Sequence, residues 1–376
     1  MHRDAAVAYR DIQRNAAHIF LDQVLSDPGE LCRHIRFNFA ATVLKIMYGI
    51  EAQEKDDHAL EAVLDTLIPG RWVVEYVPAL RHVPAWVPGM RTQHERWAKW
   101  QAASARLVNL PYSFLVAERN RPEVQQSVVN RLLVEREEQY AGDQFGRLDA
   151  DDKIEVAKNV GAIGSTLQAV FLALSLHPDI MAKAHAELDA VVGPRRMPDF
   201  DDAEPLLYVR AFILESLRWH NVTPLGVPHA TVADDIWRGW FIPADTLVIP
   251  NAWACMHDPN VYPEPFMFKP ERFIKDGQID TSVPDPTDVV FGFGRRICPG
   301  RHLARAALFI NVASIMHVFN ITPPLDENGK AIKVEAKFSD GFFSYPEDTR
   351  CTIKARSPAH ERLIRENAEA ARAMRG

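Results

Sequence analysis

The chain has 376 residues, 47% of them hydrophobic, enough to bury one large core or two ordinary ones. A formal net charge of −7 and the lack of any long basic run argue against nucleic acid as the main partner. The four cysteines, Cys32, Cys255, Cys298 and Cys351, stand far apart with no CxxC or CxxH pair. That pattern argues against a disulfide framework or a zinc site and fits a reducing intracellular setting.

The opening stretch "MHRDAAVAYRDIQRNAAHIF" has no apolar core of the signal-peptide kind. Apolar residues Tyr9, Ile12, Ala16, Ile19, Phe20 and Val24 recur at three- and four-residue steps, predicting one face of a first helix that stops before "DPGE". There Asp27 is expected to cap the next helix, with Pro28 in its first turn and Glu30 completing a capping box. "FNFAATVLKIMYGI" is too short for a membrane span and carries Lys45, so it is read as a buried helix. Residues 66–93, rich in Pro, Gly and Trp, read either as an irregular loop packed on a core or as part of a hydrophobic channel. A long apolar helix is predicted over 152–175. The next begins at Pro178 and ends near Gly193, and another covers 205–220.

"ATVADDIWRGWFIPADTLVIP" alternates and turns like a short hairpin, and 250–290 is loop-rich with many prolines. Helix returns over 299–318, and "AHERLIRENAEAARAMRG" reads as a polar helical tail in solvent, 358–376. No internal repeat or domain-scale linker is evident. The expectation is one helix-dominated domain over 1–376 with small β-sheets and no membrane span, intracellular and either cytoplasmic or peripheral.

The chemistry concentrates in "FGFGRRICPG", residues 291–300. Pro299 favours a helix start, so Cys298 is expected at a helix N-terminus, where backbone N–H groups and the dipole stabilise a thiolate. Glycines 292, 294 and 300 allow a tight turn and close approach of a flat group. Arg295 and Arg296 add charge for carboxylates. A lone thiolate suits a single axial ligand, and haem iron accepts one such ligand while leaving its opposite face open. The alternative is a buried structural cysteine in a glycine-rich turn. The spacing Phe291-x-x-Gly294-x-Arg296-x-Cys298-x-Gly300 resembles the haem-binding signature of the cytochrome P-450 superfamily, and five fixed positions at about one in twenty each rarely coincide by chance.

Two further motifs carry the resemblance. "ESLR" places Glu215 and Arg218 one turn apart in an otherwise apolar helix, and "KPERF" supplies Arg272. The resemblance implies that these three form a structural network behind the haem. "TPLGVPHATVADD" looks like the segment lining the haem pocket, which implies substrate-facing Leu225 and Val227 and a haem propionate bond from His229. For His229 a local strand hydrogen bond is the other reading. "FSDGFFSYP" is similar to the last substrate-lining loop and implies Phe342 and Phe343. The N-terminal text is similar to fungal members that oxidise small secondary metabolites or xenobiotics.

Two departures from the family matter. Microsomal members open with a membrane anchor, a hinge and a β-rich lobe, none of which precedes Met1, so a fold lacking that lobe is expected, away from the family's usual endoplasmic reticulum membrane. The long central helix usually carries an acid–alcohol pair that delivers protons. Here "NVGAIGSTLQAVFLALSLHP" puts Gly164 where the acid is expected, with Ser165 or Thr166 as the remaining alcohol and about one turn missing before Pro178. Ser165 and Thr166 read equally as ordinary helix hydroxyls.

The resemblance implies haem b (iron protoporphyrin IX) on Cys298, cradled by Phe291, Gly294, Arg296 and Gly300. It implies hydroxylation of a small apolar molecule by dioxygen, with electrons from an NADPH-dependent flavoprotein reductase. Arg295, Arg296, Arg301 and Arg305 form a basic cluster suited to an acidic partner surface, with Arg296 instead expected to face the haem propionates and a solvated surface the other reading for Arg301 and Arg305. A haem-thiolate isomerase or dehydratase and a truncated, non-catalytic relative stand as alternatives.

Overall fold

A computed structural model describes residues 6–52, 83, 84, 86, 87, 90–139 and 164–374. Most of the 66–93 connection, and with it the channel reading, lies outside the described residues, as does the first half of the predicted 152–175 helix. The described residues are mainly helical, and their strands form only two-stranded antiparallel sheets. They cluster into two compact units, Asp4–Gly164 with Glu361–Gly376, and Ser165–His360.

In the first unit, α1 (Arg10–Ser26) packs on α2 (Leu31–Tyr48). The apolar stripe is buried at Tyr9, Ala16, Ile19, Phe20 and Val24. The capping box at Asp27 does not form. Pro28–Glu30 is a 3-10 turn, and the Asp27 carbonyl, not its side chain, accepts from Glu30 N–H and from His34 Nε2 at 3.0 Å. The tight turn brings backbone to backbone and leaves the carboxylate no role. α2 ends at Gly49, left-handed at φ +75°, whose N–H returns to the carbonyls of Leu44 and Lys45. Helices α3 (Met90–Ala117), with Pro111 inside it, α4 (Pro122–Gln125) and α5 (Val128–Gln139) complete the unit's helical frame. Their core holds Tyr48, Leu115, Val124, Val129 and Leu133.

The second unit begins with α6 (164–176), followed by α7 (Pro178–Val191) and α8 (Leu207–Trp219). α8 starts two residues later than the sequence suggests, because the Glu187 carboxylate on α7 takes the amides of Tyr208 and Val209, at 2.6 and 3.0 Å. That carboxylate satisfies two of the orphan donors of a helix start and sits at the favourable end of its dipole. Strands β1 (His229–Ala230) and β4 (Leu247–Val248) flank the hairpin β2 (Asp235–Trp237) and β3 (Trp240–Ile242). Then come α9 (Ala252–Met256), the β5 (Ile274–Lys275) and β6 (Gln278–Ile279) pair, and α10 (Thr287–Val290). α11 (Arg301–Val318) runs directly into β7 (Phe319–Thr322), which pairs with β8 (Thr352–Ala355). The core gathers on Phe268, which meets the rings of Phe212 and Trp219 at 5.1 Å each and of His177 at 5.6 Å.

The last helix, α12 (Pro358–Ala373), corrects the expectation of a solvated tail. Within the first unit, Leu363, Ile364, Ala368 and Ala371 are buried. Arg365 and Arg372 both grip Asp22 of α1, at 3.1 and 2.6 Å. Two of the four buried positions are alanines, so the face looks polar by composition while being apolar by position. Among the described residues no helix is long and apolar enough to cross a membrane.

Candidate active site

Glu215 and Arg218 lie one turn apart on α8 with side chains fully inaccessible to solvent, and Arg272 joins them at 6% exposure. Every acceptor direction of the carboxylate is used. Oε1 accepts from Arg218 Nη2 at 2.9 Å and from the Lys269 amide at 2.8 Å; Oε2 accepts from Arg218 Nε at 2.8 Å and Arg272 Nε at 3.0 Å. Arg218 in turn donates to the carbonyls of Met256, Pro265 and Met267 at 2.8–3.3 Å. Arg272 donates to the carbonyls of Pro263, Glu264 and Met267 at 2.7–3.2 Å. One carboxylate and two guanidiniums thus tie α8 to the irregular 256–272 segment, which has little regular backbone bonding of its own. The ring of Tyr262 lies 5.5 Å from the Arg218 guanidinium, and burial pushes its phenol up to about 12.

Cys298 sits at the end of a compact loop. α10 ends at Val290, Gly294–Arg296 makes a 3-10 turn, and the Cys298 amide closes the loop onto the Phe291 carbonyl at 2.7 Å. Gly292 and Gly294 have φ of +76° and +59°, conformations that side chains rarely adopt. The helix beyond begins at Arg301, not Pro299. Gly300 is its N-cap and the Cys298 carbonyl is held in a turn by the Arg301 amide at 3.3 Å, which places the cysteine just ahead of the first helical turn. None of the four cysteines is in a disulfide, and Cys298 is partly buried. Arg295 and Arg296 are exposed.

Leu225, Val227 and His229 are exposed, with His229 opposite Val248 in the β1–β4 pair. Phe342 and Phe343 meet edge to face, ring centres 5.0 Å apart, at the tip of the 338–346 loop. Ser165 and Thr166 are both buried on α6. The Ser165 hydroxyl is engaged on two sides, donating to the Ser344 carbonyl and lying 2.9 Å from His220 Nε2. A methyl built on Gly164 would meet Ile35 at an ordinary 3.7 Å, so packing does not demand glycine there. His220, the C-cap of α8 two residues beyond Arg218, was not singled out by its sequence; full burial pushes its imidazole down to about 3.

The cytochrome P450 family model matches residues 29–339 of the chain. The chain belongs to the cytochrome P450 family. Curated relatives match it over 93–100% of its length. Cytochrome P450 monooxygenase COX2 of Coprinopsis cinerea is 36% identical, over 100% of this chain and 73% of that protein. Tryptamine 4-monooxygenase of Psilocybe cyanescens is 35% identical over 93% of this chain and 70% of that protein. Cytochrome P450 monooxygenase ppsD of Aspergillus oryzae is 34% identical over 95% of this chain and 69% of that protein.

Members of the cytochrome P450 family hold haem on one cysteine, and the Cys298 loop fits such a group. A methyl built on Gly294 meets nothing within 4 Å, and one on Gly292 meets only the Arg296 carbonyl at 3.9 Å, so no protein atom crowds the face of the loop at these two glycines. Among the described residues no set of three or more His, Cys, Asp or Glu side chains is placed to hold a metal.

Proposed function

We propose that this chain is a haem-thiolate monooxygenase that hydroxylates a small hydrophobic molecule, a secondary metabolite or xenobiotic. Dioxygen supplies the oxygen atom and an NADPH-dependent flavoprotein reductase the electrons. The observation that carries the reading is the Phe291–Gly300 loop, in which a single cysteine is fixed through its amide beside two glycines with open space in front of one of them. The 34–36% identity to fungal monooxygenases over nearly the whole chain supports it.

In this reading Cys298 would hold haem b through its thiolate, with Phe291, Gly294 and Gly300 lining the group and Arg296 and His229 meeting its carboxylates. The bound group supplies reductive activation of dioxygen, with one oxygen atom entering a C–H bond and the other leaving as water. Glu215, Arg218 and Arg272 hold the segment leading toward the cysteine loop rigid and take no part in chemistry. Leu225, Val227, Phe342 and Phe343 exclude water from the substrate. Ser165 is left out of proton delivery, since its proton is given to the Ser344 carbonyl; Thr166 is the other alcohol that the resemblance offers. Arg295, Arg301 and Arg305 offer a basic surface to the reductase.

A second reading is a haem-thiolate isomerase or dehydratase, which needs no proton relay. The engaged Ser165 hydroxyl and the glycine at 164 favour it. Turnover of a panel of apolar small molecules, with the amine tryptamine beside them, in the presence of a flavoprotein reductase, NADPH and isotopically heavy dioxygen separates the two. A monooxygenase leaves one heavy atom in the product and is silenced by Cys298→Ser. Product formed without the label contradicts the monooxygenase assignment.

A further inference from the structure

The second unit contains a buried hydrogen-bond chain that the reaction above does not use. The Ser165 hydroxyl donates to the Ser344 carbonyl, so its oxygen is left to accept, and the facing His220 Nε2 at 2.9 Å must carry the proton. The chain therefore has one direction, His220 N–H to Ser165 O–H to Ser344 C=O. His220 is fully buried, and Ser165 and Ser344 are 0% and 4% exposed. The same imidazole stacks on Phe338, ring centres 4.5 Å apart and planes 19° from parallel.

Phe338 and Ser344 belong to the two legs of one loop. Its base is closed by the Phe338–Pro346 bridge, by Ser339 N–H to the Tyr345 carbonyl at 2.8 Å, and by Tyr345 N–H to the Ser339 hydroxyl at 3.0 Å. A further bond runs from Ser344 N–H to the Val222 carbonyl at 2.8 Å. His220 thus touches one leg through its ring face and the other through Ser165. Between those legs stand Phe342 and Phe343.

We propose that His220, acting through Ser165, is the positioning residue that sets the direction of the Phe342–Phe343 tip and thereby decides which substrates the pocket accepts. The proposal rests on the substrate-lining role given to those phenylalanines above. His220 touches no substrate. Its place as the C-cap of α8, two residues beyond Arg218, ties it to the helix held by the Glu215–Arg218–Arg272 network, so the tip inherits its orientation from that helix and not from its own loop. The chain also anchors α6 at Ser165 to the same loop, which leaves Ser165 structural.

The test uses His220→Phe, which keeps a ring on Phe338 but loses the N–H, Ser165→Ala, which cuts the chain at its middle, and His220→Gln, whose amide restores a donor. Two readouts are taken on the full chain: hydrogen exchange of the 338–347 amides, and, on haem-loaded protein, Soret-shift titration with imidazole and with the bulkier 4-phenylimidazole. The expected result is exchange about fivefold faster in the loop for His220→Phe and Ser165→Ala, the effect of losing one buried hydrogen bond. Affinity for 4-phenylimidazole falls by a similar factor while that for imidazole stays, and His220→Gln recovers both. Parental exchange rates in the loop, or equal weakening of both imidazoles, overturn the proposal. A parental protein that takes up no haem contradicts the assigned function instead, and the exchange comparison then decides the positioning role alone.

Discussion

Glu215 shows how a charge survives in a place water does not reach. Its two oxygens accept four bonds, and the five N–H groups of Arg218 are all spent on that carboxylate and on three backbone carbonyls. Buried ions of this kind add little net stability when complete and cost much when broken, since the partner left behind has no water to turn to. Glu215→Gln keeps the volume and removes the charge, leaving two guanidiniums facing each other across an amide. The expected loss is about 3–5 kcal/mol, read as a lower midpoint in urea unfolding. A loss under about 1 kcal/mol would mean that the carbonyls around Arg218 and Arg272 suffice without the carboxylate. The sequence made the burial of this pair legible, because Glu215 and Arg218 stand among Phe212, Ile213, Leu214, Leu217 and Trp219. Nothing in the sequence pointed to His220. A histidine next to such a motif has no spacing signature, and its partners lie 55 residues away at Ser165 and more than a hundred away at Ser344.

At the scale of elements, the ends of helices decide more than their middles. α2 stops where Gly49 turns left-handed, and any β-carbon there would lie 2.8 Å from the Glu123 carbonyl, so both conformation and space require glycine. Gly49→Ala is expected to lower stability by about 1–3 kcal/mol, seen as a drop in melting temperature, with the helical circular dichroism little changed. An unchanged melting temperature would show that α4 can move aside at no cost. Helix existence was readable in α1 from its apolar period and in α7 from Pro178 and Gly193 at its ends, and the hairpin of β2 and β3 from its alternation. The termini were not. Asp27 looked like a cap and is bypassed by a 3-10 turn, Pro299 looked like a first-turn residue and sits outside the helix, and α8 takes its start from a carboxylate on α7. At Asp27 and at α8 a backbone or tertiary partner decides the helix start, which the local sequence does not display. α12 was read as polar because alanine carries little weight in a composition, although Ala368 and Ala371 are buried as fully as Ile364.

Over the whole molecule, burial holds several histidines neutral. His317 is inaccessible and pushed down to about 4, first by burial and then by the nearby His360 and Arg356, with Asp189 opposing; its Nε2 lies 3.1 Å from the Arg196 carbonyl. His220 is pushed down to about 3 by burial. Both bind a proton more readily unfolded, at an ordinary 6.5, than folded. Their contribution is therefore intact above pH 6.5 and is lost as pH falls toward 4 and 3. For His317 the loss is on the order of 3 kcal/mol. Unfolding midpoints measured across that window should fall steadily in the parent and less steeply in His317→Gln; equal slopes would contradict the account. The proposed haem-thiolate function rests on one atom, the sulfur of Cys298, and the absorption spectrum of the haem-loaded, dithionite-reduced chain under carbon monoxide tests it directly. A strongly red-shifted Soret band that disappears in Cys298→Ala is the predicted result. No haem uptake, or a band that the mutation leaves in place, would contradict it.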